Sequence, residues 1–557
     1  MKNENKGILT AVLLSLVVIF GMELLFPTQK QAPAPATSVQ PISVETVDTA
    51  AVPEVVLPAE EEEGPIVSIQ SDTLSGSIRL KGARFDNLVF SKYKKTTAAD
   101  SPDVSFLTSR FFADFSVAVS NKGIDIPTAE TIWTANQTVL TPEQPITLKW
   151  QNEQGFVFER TIALDEEYMF TITDRVTNPT EQAVSFAFGG VITRIDPPEK
   201  GTATVHEGFV GVMNETLEEE KYAVLKDDRE KSFKTTGGWI GQTDKYWLAA
   251  MAFNQQTAGV KADYLYRDIQ GKNVFQTRFV MPPLLLNKGG VQENKTFFFA
   301  GPKELKIITD YMDRLGIEKF DLAIDFGWYY FLTKPFLYIL GWLNQLVGNM
   351  GIAILIFATL LRILLLPIAG KSFESMAKMR KLQPKIQEIQ ERFKHDKLRQ
   401  NQETMALYKK AQVNPAAGCL PLFIQIPVFF SLYKVLSVSI EMRQAPFFGW
   451  IHDLSAPDPS SVFTLFGYLP WPIPGIFNIG VWPVLMGLTM YLQQKMSSPS
   501  TVNAQENPAL SAMKWMPLIF MFMMGHFASG LVIYWTWSNI LSIAQQRYVM
   551  HKYGVDK

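Results

Sequence analysis

The alternation of apolar and polar residues between about residue 66 and residue 300 has a period of two. It is clearest at residues 146–150 and 169–176, and turn-forming residues separate one short run from the next. A period of two places successive side chains on opposite faces of a strand, and many short strands are typical of an all-β sandwich. We therefore predict an all-β domain over residues 65–315 that ends in a short helix.

Long apolar runs replace this alternation near the N-terminus and again through the last two hundred residues. A helical run of about twenty apolar residues, rising ~1.5 Å per residue, crosses a hydrocarbon core of ~30 Å. Lys2 and Lys6 precede the first run, which favours an uncleaved anchor over a cleaved signal peptide. Six spans are predicted, at residues 1–26, 348–370, 413–436, 476–494, 512–527 and 529–548.

The segments between these spans differ in composition. Residues 27–64 are rich in Pro, Ala and Val and end in an acidic run, which predicts a flexible linker. Residues 316–347 mix aromatic and charged residues, a pattern typical of an amphipathic helix at the membrane surface. The remaining segments are predicted to be loops at residues 437–475 and 495–511, and a tail at residues 549–557.

Residues 371–412 form the most basic part of the chain, with eleven Lys or Arg against five Asp or Glu between residues 371 and 411. Apolar residues recur every three or four positions there, which predicts two helices in a hairpin. The positive-inside rule places the hairpin and both termini in the cytoplasm and the β domain on the opposite side. The basic face either contacts anionic lipid or binds a ribosome, nascent chain or targeting factor. The candidate contact residues are Lys378, Arg380, Lys381, Lys385 and Arg392.

One full charge, Arg362, lies inside the predicted second span. An ionisable residue within a span is costly and usually faces a protein interior or a water-filled cavity. Because Arg362 lies only ~10 Å from the cytoplasmic end of the span, its long side chain could instead reach the lipid headgroups. The alternatives are therefore a positively charged recess and a lipid-facing anchor. Gln425, in the third span, either lines the same recess or bonds to a neighbouring helix.

The composition argues against several classes of function. The chain has 557 residues, a formal net charge of −2 and a single cysteine. It therefore predicts no nucleic-acid partner, no internal disulfide framework and no multi-cysteine metal site. The five C-terminal spans contain no acidic residue, which argues against a cation-coupled transporter. No Walker A, HExxH or GxSxG sequence occurs, and we predict no catalytic residue, no metal and no cofactor.

The C-terminal part also contains a series of ordered motifs. They are SMAKMRKLQPKI at residues 375–386, NPAAGCLP at 414–421, RQAPF at 443–447, WIHDLS at 450–455 and SGLV at 529–532. Together these motifs resemble those of the YidC family of membrane protein insertases, and the similarity is close from about residue 330 to residue 550. The N-terminal anchor followed by a large β domain resembles the Gram-negative form of that family.

The resemblance implies five core helices around a hydrophilic groove that is open to cytoplasm and lipid, and a β-supersandwich in the periplasm. It implies that Arg362 is the groove arginine, that Gln425 is a groove-facing polar residue and that Tyr534 is an aromatic residue of the last span. Trp535 stands where some relatives carry a second tyrosine, and it is the fourth candidate groove residue.

The resemblance further implies an insertase and folding chaperone of the bacterial inner membrane, acting alone or beside the Sec translocon. Its partners would be newly made inner-membrane proteins, Sec components, the lipid bilayer and, at the hairpin, a ribosome or targeting factor. Neither an enzymatic reaction nor a cofactor is implied. The alternative from another class is a periplasmic carbohydrate-binding or carbohydrate-modifying protein with a membrane anchor, because a β sandwich by itself does not define a function.

Overall fold

The computed structural model describes residues 64–119, 123–198, 205–413, 420–464, 468–469, 478–497 and 508–553. The predicted N-terminal anchor and nearly all of the predicted linker lie outside these residues. All described residues belong to one of the two compact units of the chain, Ala50–Lys557.

Twenty strands occur within the described residues, between residues 66 and 302. In chain order they are β1 (Ile66–Gln70), β2 (Leu74–Arg79), β3 (Arg84–Lys94), β4 (Asp103–Leu107), β5 (Phe111–Val119), β6 (Thr134–Ala135), β7 (Val139–Leu140), β8 (Ile146–Gln151), β9 (Val157–Leu164), β10 (Met169–Thr177), β11 (Val184–Ile195), β12 (Gly208–Met213), β13 (Thr216–Glu220), β14 (Glu230–Thr236), β15 (Trp239–Thr243), β16 (Trp247–Ala252), β17 (Ala258–Ile269), β18 (Lys272–Val280), β19 (Leu284–Leu286) and β20 (Val291–Pro302). They build two large sheets.

The first sheet has eleven strands, ordered β14-β17-β18-β11-β5-β3-β2-β1-β7, with β19 on β11 and β4 on β3. The second has nine, ordered β13-β12-β15-β16-β20-β10-β9-β8-β6. The sheets pack through aromatic side chains: the ring of Phe85 on β3 lies 5.2 Å from that of Phe170 and 5.4 Å from that of Phe298. In β9, every second residue from Phe158 to Leu164 is buried, as a half-buried strand requires. The predicted β sandwich is therefore confirmed.

Nine helices lie within the described residues. In chain order they are α1 (Tyr222–Asp228), α2 (Leu305–Leu315), α3 (Tyr330–Val347), α4 (Met350–Arg392), α5 (Lys397–Lys410), α6 (Leu420–Val438), α7 (Val481–Ser497), α8 (Pro508–Met524) and α9 (Ser529–Lys552). Short 3₁₀ turns occur at Phe320–Ala323 and Ile440–Met442. All the helices except α1 follow the sandwich in the chain.

Helix α4 runs without a break for 43 residues, through both the predicted second span and the first arm of the predicted hairpin. It begins after Asn349, whose side chain accepts a hydrogen bond from the backbone N–H of Ile352 at 3.0 Å, an N-cap that satisfies one of the free N–H groups of the first turn. Asp396 caps α5 in the same way, through the backbone N–H of Arg399 at 3.1 Å. The change from apolar to basic residues thus does not end the helix.

Among the described helices, α4 alone is both long and apolar enough to cross a membrane. Two shorter apolar helical segments, Gln425–Val438 and Trp515–Met524, lie within α6 and α8. The first predicted span lies outside the described residues. The total of six spans therefore stays a prediction.

Helices α3, α4, α6 and α9 share one apolar core. Phe336 of α3 packs edge to face on Phe357 of α4, with 4.9 Å between ring centroids. Leu432 of α6 and Ile533 of α9 are fully buried in the same cluster. Leu305, at the start of α2, also belongs to it, so the helical core continues up to the end of the sandwich.

Candidate functional site

Helix α9 carries a row of four polar side chains, Tyr534, Ser538, Ser542 and Gln546. A spacing of four residues places side chains one above another on the same helix face. No member of this row, which we call the α9 polar row, exposes more than 4% of its surface. Buried polar groups need hydrogen-bond partners, so the row indicates where polar groups from other helices meet α9.

Arg362, on α4, contacts the middle of the α9 polar row. Its Nη2 donates hydrogen bonds to the carbonyl oxygen of Ser538 at 3.1 Å, to Ser538 Oγ at 3.2 Å and to Ser542 Oγ. Its Nε is buried without an acceptor in the described part of the chain. Among the described residues, no carboxylate pairs with the guanidinium. Arg362 is thus a half-buried cation held by neutral groups.

Gln425, on α6, reaches the same row. Its Nε2 donates a hydrogen bond to the hydroxyl of Tyr534 at 3.2 Å. Because Tyr534 lies one helical turn before Ser538, this contact is next to the Arg362 contact along α9. The structure therefore brings Arg362, Gln425 and Tyr534 to one face of α9.

Trp535 lies on a different side of α9, since consecutive residues of a helix are about 100° apart. Its ring packs edge to face on Phe429 of α6 at 4.5 Å and on Phe520 of α8 at 5.7 Å between centroids. It belongs to an aromatic cluster between α6, α8 and α9 rather than to the polar row.

Ser538 and Ser542 are not among the residues that sequence reasoning predicted. Hydroxyls within an apolar helix are usually assigned to local packing, and neither serine belongs to a motif with known chemistry. The available signal was their spacing of four from Tyr534 and from each other, which places all of them on one face.

Two further hydrogen bonds fix the rotation of α9 on either side of the row. Trp537 Nε1 donates to Thr359 Oγ1 of α4 at 3.0 Å, and Asn539 Nδ2 donates to Thr489 Oγ1 of α7 at 3.2 Å. Since these partners lie on two different helices, α9 cannot turn about its axis without breaking at least one of the bonds. The α9 polar row is therefore held facing Arg362 and Gln425.

Four of the five predicted hairpin contact residues have exposed side chains. These are Lys378, Lys381, Lys385 and Arg392. Lys378 pairs with Glu374, one turn earlier on α4, at 2.9 Å. An exposed pair of this kind contributes little to stability, so it does not prevent Lys378 from contacting another group. All four exposed side chains are therefore available to a partner or to lipid headgroups.

Arg380, the fifth, is half-buried against the ends of two other helices. Its Nη2 donates to the carbonyl oxygens of Met496 and, at 3.4 Å, of Lys495, both at the end of α7. Its Nη1 lies 3.5 Å from Met550 Sδ on α9. Gln546, the last member of the α9 polar row, also donates to the Met496 carbonyl at 3.1 Å. A cation at a helix C-terminus is favourable because the free carbonyls carry partial negative charge.

The site offers a cation, an amide and hydroxyl groups. Within the described residues, no cluster of three or more His, Cys, Asp or Glu side chains could hold a metal ion. A guanidinium at lowered dielectric attracts anionic groups more strongly than it would in water. The arrangement is suited to binding charged and polar groups.

Two family models match the chain. One, described as 60Kd inner membrane protein, matches residues 342–556, and the other, described as YidC periplasmic domain, matches residues 66–339. Together they cover both the sandwich and the helices.

Curated relatives are similar along their whole length. The membrane protein insertase YidC of Beijerinckia indica subsp. indica is 42% identical over 592 residues, which cover 100% of this chain and 97% of the relative. The membrane protein insertase YidC of Rickettsia felis is 40% identical over 561 residues, covering 99% of each chain. Among solved structures, a crystal structure of an active YidC insertase with its first transmembrane domain resolved covers 86% of this chain and 94% of its own, at 18% identity and a TM-score of 0.37.

The family models and the curated relatives match the helices as well as the sandwich, which disfavours the alternative of a carbohydrate-binding or carbohydrate-modifying protein on a membrane anchor. Two family models and full-length identity of about 40% lead to one assignment. The chain belongs to the YidC family of membrane protein insertases.

Proposed function

We propose that this insertase moves the polar, translocated segment of a client protein through a groove in which Arg362 supplies the positive charge. The observation that carries the proposal is the guanidinium of Arg362, which is half-buried, held by serine groups and without a carboxylate partner among the described residues. A cation that already had a counter-ion would gain little from an acidic client. Arg362 can still gain from one.

Gln425 and Tyr534 extend this surface with neutral hydrogen-bonding groups, an amide and a hydroxyl. Burying a peptide group without a partner costs roughly 2–7 kcal/mol. Side chains that can exchange hydrogen bonds with a passing backbone lower this cost. In this proposal Trp535 acts through the aromatic cluster around α6 and α8, as part of the apolar surface along which the client's own span leaves.

The driving force comes from the client. Its apolar span gains about 25 cal/mol for each Å² of apolar surface that leaves water. An acidic segment moving outward also gains ~2.3 kcal/mol per charge for each 100 mV of membrane potential. Transfer of this kind forms no covalent bond, and we expect neither a catalytic residue nor a cofactor.

The proposed topology has six spans, both termini in the cytoplasm and the sandwich in the periplasm of a bacterial inner membrane. It rests on the basic excess of residues 371–412 and on the apolar runs of the sequence. We propose newly made inner-membrane proteins and lipid as partners, together with components of the Sec translocon. The exposed basic residues of α4, such as Lys381 and Lys385, would meet a ribosome, a targeting factor or anionic lipid.

The test uses two single-span clients that differ only in whether the translocated tail carries acidic or neutral residues. Insertion is measured in cells depleted of the native protein that carry wild type, Arg362→Lys or Arg362→Ala at equal levels. We expect Arg362→Ala to lose most insertion of the acidic client and to retain the neutral one, and Arg362→Lys to insert both. Equal insertion of both clients by Arg362→Ala would show that the charge is not used.

A further inference from the structure

We propose that Ser538 and Ser542 are positioning residues, which hold the guanidinium of Arg362 in a fixed orientation without neutralising its charge. The inference rests on the proposed function of Arg362 as the groove cation. It assigns to two neutral residues of α9 a role in the same step, and it follows from the direction of the hydrogen bonds among them.

All three hydrogen bonds of Arg362 use one nitrogen, Nη2. The two N–H groups of Nη1 have no acceptor among the described residues. A guanidinium is planar and presents its five N–H groups in fixed directions. Fixing Nη2 against α9 therefore also fixes the direction of Nη1, which remains free for a carboxylate or a carbonyl of the client.

Ser542 accepts from Arg362 while its own hydrogen is used in a different bond. Its hydroxyl donates to the carbonyl oxygen of Ser538, one turn earlier, at 2.9 Å. A serine hydroxyl has one hydrogen and two lone pairs, so the oxygen of Ser542 directs a lone pair at Arg362 Nη2. The Ser538 carbonyl joins the two contacts, because it accepts from both Ser542 and Arg362.

Both serines are rigid parts of the fold. Ser538 exposes 4% and Ser542 1% of its surface, and the bonds of Trp537 and Asn539 on either side fix the rotation of α9. A long arginine side chain that is not held otherwise loses rotamer freedom on binding. Two fixed hydroxyls remove part of that cost before a client arrives.

The neutrality of these groups is what makes the arrangement useful. An Asp or Glu at either position would hold the guanidinium more tightly, because a charged acceptor forms the stronger hydrogen bond. It would also cancel the charge that an acidic client is to meet. Hydroxyls and a carbonyl orient the cation and leave its net charge of one in place.

The first set of variants removes or replaces the hydroxyls in the full-length protein. These variants are Ser538→Ala, Ser542→Ala, the double alanine variant, Ser542→Thr and Ser542→Asp. Thr536→Val is the matched control, since Thr536 is equally buried on α9 and donates to its own helix at Val532. It removes one buried hydroxyl that does not contact Arg362.

Insertion of the acidic-tail and neutral-tail clients is one readout. We expect the double alanine variant to insert the acidic client about five-fold more slowly, as expected from weakened hydrogen bonding, and the neutral client at the wild-type rate. Ser542→Thr, which keeps a hydroxyl, should insert the acidic client at the wild-type rate. Ser542→Asp should lose the acidic client as fully as Arg362→Ala does, because it supplies a permanent counter-ion.

The second readout is the rate at which phenylglyoxal modifies Arg362 in the purified, membrane-reconstituted protein, followed on the peptide that contains it. A guanidinium released from the two hydroxyls, and held only by the Ser538 carbonyl, should react several-fold faster in the double alanine variant and at the wild-type rate in Thr536→Val. This readout does not depend on insertion. It therefore distinguishes failure of the positioning role from failure of the proposed function.

Two results would overturn the inference. One is an unchanged modification rate of Arg362 in the double alanine variant, which would mean that the serines do not hold it. The other is an equal loss of both clients, which would mean that the serines only support the fold. If Arg362→Ala inserts the acidic client normally while the modification rate responds as expected, the proposed function fails and the positioning of Arg362 stands.

Discussion

Lys434 Nζ lies 2.6 Å from Asp325 Oδ2, and this ion pair joins helix α6 to the segment that leads from the sandwich into α3. The same carboxylate oxygen accepts the backbone N–H of His206, in the sandwich, at 2.9 Å. Burial favours the neutral acid, but the hydrogen bond and charge of Lys434 outweigh it and lower the pKa of Asp325 below its usual value. The carboxyl group of Asp325 is therefore ionised at neutral pH, and its contacts with Lys434 and His206 tie the two parts of the chain together.

Removal of either partner should loosen this junction. Asp325→Asn and Lys434→Met each remove this partly buried ion pair, at a cost on the order of 2 kcal/mol. The backbone amide of His206 donates to Asp325 and therefore reports the loosening of the junction directly. Its hydrogen exchange should accelerate by about thirty-fold, since 1.4 kcal/mol corresponds to a factor of ten. The double variant should lose less than the sum of the singles, because the same ion pair is lost in both single variants.

The control for this pair is Lys319→Met, which breaks the nearby exposed contact with Glu215 at 3.4 Å. Exposed pairs contribute roughly 0–1 kcal/mol, so exchange at His206 should hardly change. Strictly additive effects of Asp325→Asn and Lys434→Met would contradict a direct coupling between them.

A second contact between sandwich and helices lies at Arg443, just after the 3₁₀ turn that follows α6. Its Nη2 and the side-chain amide of Gln444 both donate to the carbonyl oxygen of Lys94, at the end of β3. The Arg443 guanidinium also lies 5.6 Å from the ring centroid of Trp247. Arg443→Ala should therefore accelerate exchange at the end of β3 and change the fluorescence of Trp247.

Arg443→Lys separates the parts of this contact. A lysine keeps the charge near Trp247 but cannot reproduce the planar, directed donors of arginine. We expect amide hydrogen exchange at the end of β3 to be as fast in Arg443→Lys as in Arg443→Ala. If amide exchange at the end of β3 is as slow in Arg443→Ala as in wild type, the hydrogen bond of Gln444 is sufficient to hold Lys94.

How far the sequence predicts this structure differs from residue to residue. The alternation in Val157–Leu164 predicts strand β9, and Phe158 and Ile162 face the core as the pattern requires. Arg160 shares that face, and its buried charge is paired with Asp174, its neighbour on β10, at 2.6 Å. A partner on another strand cannot be deduced from local alternation.

The helical part shows the same limit. The predicted boundary near residue 370 marks where the composition changes from apolar to basic, but α4 continues to Arg392, because the backbone hydrogen bonds of a helix do not depend on whether its side chains are apolar or basic. Arg362 and Gln425 stood out as polar residues in apolar runs. Ser538 and Ser542 did not, because a serine gains significance only from the partner that it faces.

Arg380 joins the C-terminal half of α4 to the C-terminal ends of α7 and α9. Arg380→Ala should remove the hydrogen bonds of the guanidinium to the carbonyls of Met496 and Lys495 and destabilise the end of α7 by on the order of 1–2 kcal/mol, as expected for hydrogen bonds from a charged donor. Proteolysis after Lys495 should then accelerate by about ten-fold. The exposed neighbour Lys381 offers the control, and Lys381→Ala should leave the rate unchanged.

The Arg380 experiment also separates two roles within the basic hairpin. If Arg380 contacts a partner rather than α7, Arg380→Ala and Lys381→Ala should weaken ribosome or lipid binding alike and leave proteolysis unchanged. The geometry predicts the opposite pattern, with Lys381→Ala affecting only binding. Equal proteolysis rates in the two variants would contradict the internal role.

Lys303, at the end of the last strand, is fully buried, and its Nζ donates to Thr243 Oγ1 at 2.9 Å. Burial lowers its pKa to about 8, although the nearby carboxylates of Asp325 and Asp244 act in the opposite direction. In the unfolded chain the same lysine has a pKa of ~10.4. Between these two values the unfolded state binds more protons than the folded state.

Stability that depends on Lys303 should therefore rise with pH between about 8 and 10, by at most ~1.4 kcal/mol per pH unit for a single proton. The measurement is the difference in melting temperature between wild type and Lys303→Met, in the full-length protein at pH 7.5, 8.5 and 9.5. Constant effects of the substitution cancel when only the trend is compared. The melting temperature of wild type should rise relative to that of the variant with each step in pH, because the buried lysine loses its charge. A difference in melting temperature that does not change with pH would mean that Lys303 remains charged throughout.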